Sequence, residues 1–266
     1  MHTFAQSFRS SAQRNQPALI PYLTAGFPTK AAFVDQLRAL APLSAAIEVG
    51  VPFSDPMADG VTIQGSSRVA LEQGVSLDWI LDQLASLKGQ LACPLAIMSY
   101  LNPLLSIAPE TLGSRLAGAG VRAVIIPDLP FQESLPLLRV LSPHAIGLVQ
   151  MVSPLTPPDR AQQLARATGG FLYAVTSTGV TGGKAPDAAS NAPSVPDTLA
   201  DHRVAVYLAN LRTLSTNPVA AGFGIRTPEH VRSLRPHADA LIVGSALIEA
   251  IARNEKPDSF LRHLMS

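Results

Sequence analysis

The chain has 266 residues, 47% of them hydrophobic and 15% charged, so it carries enough apolar material for a full core, in one large α/β barrel or two small domains. A net charge of +1 gives no electrostatic case for nucleic acid or an anionic membrane surface, and the single cysteine, Cys93, excludes an internal disulfide. The six histidines (His2, His144, His202, His230, His237, His263) show no metal-ligand spacing. The first residues lack an apolar signal core and no apolar run approaches membrane-spanning length, so a cytoplasmic protein is expected.

In chain order, an N-terminal helix precedes apolar runs of strand length that alternate with amphipathic segments of helix length. Strand 18–26 leads to helix 30–41, strand 45–52 to helix 77–87, and strand 94–100 to helix 109–119. Strand 123–130 leads to helix 132–141, strand 145–153 to helix 158–167, and strand 171–177 to helix 198–214. Strand 218–224 leads to helix 228–234, and strand 240–245 to helix 247–253. The strand runs are continuously apolar, as expected of parallel strands covered on both faces. Thr227-Pro228-Glu229 is a helix-start signal, with a capping hydroxyl, a proline in the first turn and an acid beside it.

Eight βα repeats at this length predict a single α/β domain over 1–266, a (β/α)8 TIM barrel with an N-terminal helix and long loops after strands two and six. An open doubly wound sheet is the alternative, but no Gly-x-Gly-x-x-Gly follows the first strand. The loop at 53–74 is expected to carry a short helix over 62–72. The loop from 178 to about 196 is rich in Gly, Pro, Ala, Ser and Asn.

The stretch from Ala46 to Gln64 carries the clearest chemistry. Glu48 sits late in an apolar run that reads as a buried strand, with Asp55 and Asp59 in the Pro/Gly-punctuated loop after it. A carboxylate that loses hydration has a raised pKa and is suited to proton transfer near neutral pH; a structural salt bridge is the competing reading. Barrel sites gather at the carboxyl ends of strands, where Glu48 and Asp59 both belong. Gly222-Phe223-Gly224-Ile225 closes strand seven, and Val243-Gly244-Ser245-Ala246 closes strand eight and opens a helix. Glycines there let backbone N–H groups approach phosphate oxygens, and the helix N-terminus adds a favourable dipole. Ser177-Thr178-Gly179-Val180-Thr181-Gly182 reads either as a capped turn or as a lid hinged on glycines. Tyr22, Tyr100 and Tyr173 fall at strand ends, as core or as the walls of a flat apolar ligand's pocket. Cys93 reads as a small buried hydrophobe.

Together these segments resemble the tryptophan synthase α-subunit family along essentially the whole chain. The resemblance rests on Ile20-Pro21-Tyr22-Leu23-Thr24-Ala25-Gly26, on Glu48-Val49-Gly50-Val51-Pro52-Phe53-Ser54-Asp55-Pro56 with Ala58-Asp59-Gly60, and on Tyr100-Leu101-Asn102-Pro103. It continues through Pro127-Asp128-Leu129-Pro130, Gly179-Val180-Thr181-Gly182, Gly222-Phe223-Gly224-Ile225 and Gly244-Ser245-Ala246. It implies retro-aldol cleavage of indole-3-glycerol phosphate to indole and glyceraldehyde 3-phosphate, a step of tryptophan biosynthesis. By motif, Glu48 matches the acid/base at indole C3 and Asp59 the carboxylate at the indole N–H. Tyr22, Tyr100, Ile125, Val152, Tyr173 and Phe223 match positions around the indole and glycerol. Gly182, Gly224, Gly244 and Ser245 match the phosphate cradle, and Thr181 the loop threonine that bonds the aspartate on closure.

The resemblance also implies a β subunit that carries pyridoxal phosphate, in an α2β2 assembly, with no cofactor or metal in this chain. Asp55, Asn102 and Pro103 match segments facing that partner. A stand-alone lyase releasing free indole is the alternative. Three departures stand out: Phe27 where the family often has an acid, Val61 in place of a common proline, and a longer segment at 183–203.

Overall fold

The computed structural model describes residues 3–176, 197–222 and 224–266. Eight parallel strands close on themselves in sequence order, with the first paired to the last. They are β1 (Leu19–Thr24), β2 (Ile47–Gly50), β3 (Leu95–Met98), β4 (Val121–Ile125), β5 (Gly147–Val152), β6 (Leu172–Val175), β7 (Val219–Gly222) and β8 (Ala240–Val243). The helices are α1 (Phe4–Gln13), α2 (Phe33–Leu40), α3 (Val61–Glu72), α4 (Leu77–Ser86), α5 (Leu101–Leu105) and α6 (Pro109–Gly118). They continue through α7 (Leu135–Leu141), α8 (Pro158–Ala167), α9 (Asp197–Leu214), α10 (Pro228–Leu234), α11 (Ser245–Ala252) and α12 (Pro257–Leu264). The closed parallel barrel expected from the βα repeats is the one found, and the open-sheet alternative is excluded.

Side chains alternate along each strand, and the two faces form separate clusters. Ile47, Val49, Leu95, Leu148 and Leu241 join the large cluster that includes the surrounding helices. Their neighbours in sequence, among them Ala46, Ala96, Val149, Ala240 and Ile242, form a second cluster inside the barrel. Many of the interior residues are alanines, and the volume they leave at one end is filled from outside the sheet. Phe4 and Phe8 of α1 pack edge-on and tilted against Phe171, with ring centroids at 5.2 and 6.3 Å. Thr3 starts this helix with a capping box shared with Gln6, and the Ser7 hydroxyl donates to the Ala45 carbonyl. α1 therefore plugs the end of the barrel where strands begin. Truncating Phe171 to Ala should cost about 3–5 kcal/mol, because it opens a cavity in this plug.

The strands are shorter than the apolar runs that predict them. The run at 123–130 yields a strand from Val121 to Ile125, because Ile126 stays buried through the following turn without pairing. Helix 30–41 divides into a 3₁₀ turn, Lys30–Ala32, and α2, and helix 132–141 becomes a 3₁₀ turn, Phe131–Glu133, followed by α7. Two helices have no sequence-based counterpart. α5 is a single short turn containing Pro103, and α12 buries only Leu261 and Leu264. Among the described residues, no helix is long and apolar enough to cross a membrane.

Candidate active site

Strand β2 aims Glu48 into the barrel, because Ile47 and Val49 on either side point to the helices. Glu48 lies between Tyr22 of β1 and Ala96 of β3 in register. It is 1% exposed, and its Oε2 is buried without a hydrogen-bond partner. Burial, with the negative charge of Asp59 adding to it, pushes the Glu48 carboxyl up to about 8. The salt-bridge reading of Glu48 fails, since no cation pairs with it among the described residues.

Asp59 reaches the same space from the loop between β2 and α3. Burial raises its pKa to about 6, opposed by a hydrogen bond that the Tyr100 hydroxyl donates to it. The same hydroxyl accepts the Ala58 N–H at 2.8 Å, and the Tyr100 ring lies 5.1 Å from Phe53. Tyr100 thus holds both ends of the segment that carries Asp59. Burial and the Asp59 charge push its phenol up to about 12.

Tyr22 and Tyr173 complete the ring. Burial is the main reason both phenols titrate far above the ordinary range; the charges of Glu48 and Asp59 act on both, which places the four groups around one space. Each phenol depends on a glycine at a strand end. A Cβ on Gly50 would collide with the Tyr22 hydroxyl, and one on Gly222 would lie 2.6 Å from the Tyr173 hydroxyl. Ile125 is fully buried in the interior cluster that contains Tyr173. Val152 falls on the alternate face of β5, in the cluster with Leu148, and its carbonyl accepts the Tyr207 hydroxyl at 2.9 Å. Met98, Met151 and Val175 are the interior-facing, half-buried residues that the motifs do not mark. Inter-strand register finds the two methionines: Ala96, two residues before Met98, pairs with Glu48, and Met151 pairs with Tyr173.

The glycine-rich ends of β7 and β8 lie beside this space. Gly224 has φ +82° with nothing within 4 Å of an added Cβ, and at Gly244 the nearest atom to one is the Tyr22 Cβ at 3.8 Å. Gly244 is the N-cap of α11, so Ser245 opens the helix and its first-turn amides lack intrahelical acceptors. Glu249 on α11 ties these loops together: it pairs with Arg226 and accepts the Thr62 hydroxyl of α3 at 3.2 Å. Thr181, Gly182 and Phe223 lie outside the described residues.

Asp55 is exposed and accepts the Ser54 hydroxyl, while Asn102 is exposed and Pro103 half-buried on α5. The Asp128 carboxylate holds the start of α5 by accepting the Leu101 N–H at 2.9 and 3.2 Å. Large apolar side chains are exposed after four successive strands: Met57 (83%), Leu105 (64%), Leu135 (54%) and Leu155 (77%). Among the described residues, no group of His, Cys, Asp and Glu could hold a metal ion.

The model of the family described as tryptophan synthase alpha chain matches residues 8–264. A tryptophan synthase alpha chain of Nitratidesulfovibrio vulgaris is 41% identical over 255 residues, 96% of this chain and 94% of its own. One from Arabidopsis thaliana is 36% identical, covering 98% of this chain and 90% of its own. Among solved structures, tryptophan synthase from M. tuberculosis, in an open form with BRD0059 bound, superposes with a TM-score of 0.83 at 29% identity, over 98% of this chain and 96% of that one. Tryptophan synthase subunit alpha from Legionella pneumophila does so at 0.82 and 27% identity, over 100% and 96%. The chain belongs to the tryptophan synthase alpha chain family.

Proposed function

We propose that Glu48 and Asp59 carry the cleavage of indole-3-glycerol phosphate, the reaction of this family's alpha chains. The supporting observation is a pair of carboxyls with separated pKa values on one space. Near pH 7, Glu48 at about 8 keeps its proton, whereas Asp59 at about 6 is charged. Glu48 gives its proton to indole C3, and Asp59 stabilises the positive charge that builds on the indole N–H. The carboxylate left on Glu48 then takes the proton of the glycerol hydroxyl next to the ring. The bond between C3 and the glycerol carbon breaks, its electron pair restores the aromatic indole, and the hydroxyl carbon becomes the aldehyde of glyceraldehyde 3-phosphate. Glu48 ends protonated, so the cycle balances.

Tyr22, Tyr100, Ile125, Tyr173 and Phe223 would hold the ring and glycerol; Val152, on the outer face of β5, would not reach them. Amides at Gly182, Gly224, Gly244 and Ser245 would hold the phosphate, aided by the dipole of α11. Every step is a proton transfer or a bond cleavage assisted by this chain's own carboxyls. The pyridoxal phosphate of a synthase therefore falls to a β chain. That chain would dock on the face bearing Asp55, Asn102 and Pro103, where the apolar side chains of Met57, Leu105 and Leu155 are exposed, giving a cytoplasmic α2β2 complex. The whole chain acts as one domain in this reading. Indole release from indole-3-glycerol phosphate, measured with and without a β chain, tests it; no indole under either condition would refute it.

A further inference from the structure

At the opposite end of the barrel lies a cavity of about 510 Å³, between α1 and the segments that lead into β1, β7 and β8. Ala5, Phe8, Arg9 and Ala12 line it from one face of α1, and Arg212, Arg235 and Asp239 line it from the barrel side. The charges do not balance. Asp239 is fully engaged: one oxygen pairs with Arg212 at 3.0 Å, and the other accepts the Val219 N–H at 2.8 Å. Among the described residues, Arg235 donates only to a neutral acceptor, Asn15 Oδ1, at 2.6 Å. Arg9 has no hydrogen-bond or ion-pair partner among the described residues. Two guanidinium groups therefore line one concave space without a counter-charge among the described residues.

We propose that this cavity binds a small polyanion of the phosphate class, held between Arg9 and Arg235. Guanidinium forks match phosphate oxygens in geometry and charge. The exposed Thr216, also in the lining, offers a further hydroxyl donor. Because one arginine is on α1 and the other on the barrel, a bound anion bridges the N-terminal plug to the strands it covers. The consequence is stabilisation of the folded chain by ligand linkage, with no change in the chemistry at Glu48.

Inorganic pyrophosphate is the probe, titrated into the full chain at constant ionic strength so that general screening is held fixed. Calorimetry and the thermal midpoint are read for the wild type, Arg9→Gln, Arg9→Gln/Arg235→Gln and Gly244→Val. The wild type and Gly244→Val should both be stabilised, since Gly244 lies at the far end of the barrel. Arg9→Gln should weaken this binding roughly tenfold, and the double variant about a hundredfold, from loss of charge-assisted contacts. Arg9 is exposed and makes no bond among the described residues, so the single variant keeps its fold and stands as the test even if the double variant does not. Unchanged pyrophosphate affinity in Arg9→Gln, or loss of all binding in Gly244→Val, would overturn the proposal.

Discussion

The Tyr100 hydroxyl accepts the Ala58 N–H at 2.8 Å and donates to the Asp59 carboxylate, so one phenol fixes the loop that delivers the second carboxyl to Glu48. Loops that carry function need such anchors, because exposed backbone alone does not hold a side chain to within an ångström. Tyr100→Phe keeps the ring against Phe53 and removes only these two bonds. It should lower kcat about 10- to 100-fold through misplacement of Asp59. It should also raise the lower pKa of the rate profile, because the lost bond favours the charged carboxylate. Steady-state kinetics across pH would check both effects; an unchanged acid limb would remove Tyr100 from this role.

Activity should follow a bell against pH. Asp59 must be charged, which sets a rise near 6, and Glu48 must be protonated, which sets a fall near 8. Asp59→Asn should remove the acid limb and most of the turnover. If it raised only KM, Asp59 would be a binding group.

Glu48→Gln should cost roughly 10²–10⁴ in kcat while leaving ligand binding intact. The same substitution should alter stability in a predictable direction. Folding raises the Glu48 pKa from 4.5 to about 8, so across that window the native state keeps a proton that the unfolded chain releases. Stability therefore falls as pH rises through the window, by up to about 1.4 kcal/mol per unit, and is level above it. Glutamine has no proton to lose. Thermal midpoints of wild type and Glu48→Gln should match near pH 4 and diverge towards pH 8, with the variant higher. Parallel curves would show that Glu48 is not buried as an acid.

Much of this was legible in the residues because it depends on local pattern. The eight apolar runs require strands covered on both faces, and an isolated glutamate in one of them can only face the site or a partner. What was not legible depends on tertiary register. The ends of strands are set by which carbonyl finds an amide next door, and Ile126 stays apolar after pairing stops. Met98 and Met151 read as ordinary core until pairing with the strands of Glu48 and Tyr173 places them on the interior face. Asp128 looks like a turn residue in sequence, and only the fold brings it to the Leu101 amide 27 positions away. Glu249 likewise meets Thr62 across 187 positions.

Gly244→Val separates phosphate binding from chemistry. Gly244 has a negative φ, so valine causes no left-handed strain, and the new Cβ lies in ordinary van der Waals contact with the Tyr22 Cβ at 3.8 Å. Its bulk should block approach of a phosphate to the first-turn amides of α11. KM for indole-3-glycerol phosphate should rise about 10- to 100-fold, the loss of one or two charge-assisted hydrogen bonds, with a smaller change in kcat. Gly224→Val is the harsher companion, since φ +82° disfavours any β-branched residue. A ligand-bound structure with phosphate held away from Gly244 would refute the assignment.

The exposed apolar face predicts how the partner acts. Leu105 on α5 and Leu155 after β5 are 64% and 77% exposed. Burying two such side chains at an interface is worth about 1.5–3 kcal/mol each, and an acid in their place opposes docking. Leu105→Asp/Leu155→Asp should therefore leave indole release by the isolated chain unchanged and weaken any stimulation by a β chain, with affinity down roughly 100-fold. Asp59 lies between β2 and α3 on the same face as these residues. Docking would stabilise that loop in its working position, which is why the isolated chain should be the poorer catalyst. Thr181→Val, beyond the described residues, should blunt the same stimulation by removing the hydroxyl that would meet Asp59. Comparing isolated and β-stimulated rates for both variants decides the matter: full activity of the isolated wild-type chain, or undiminished stimulation of the double aspartate variant, would break the link between this face and the site.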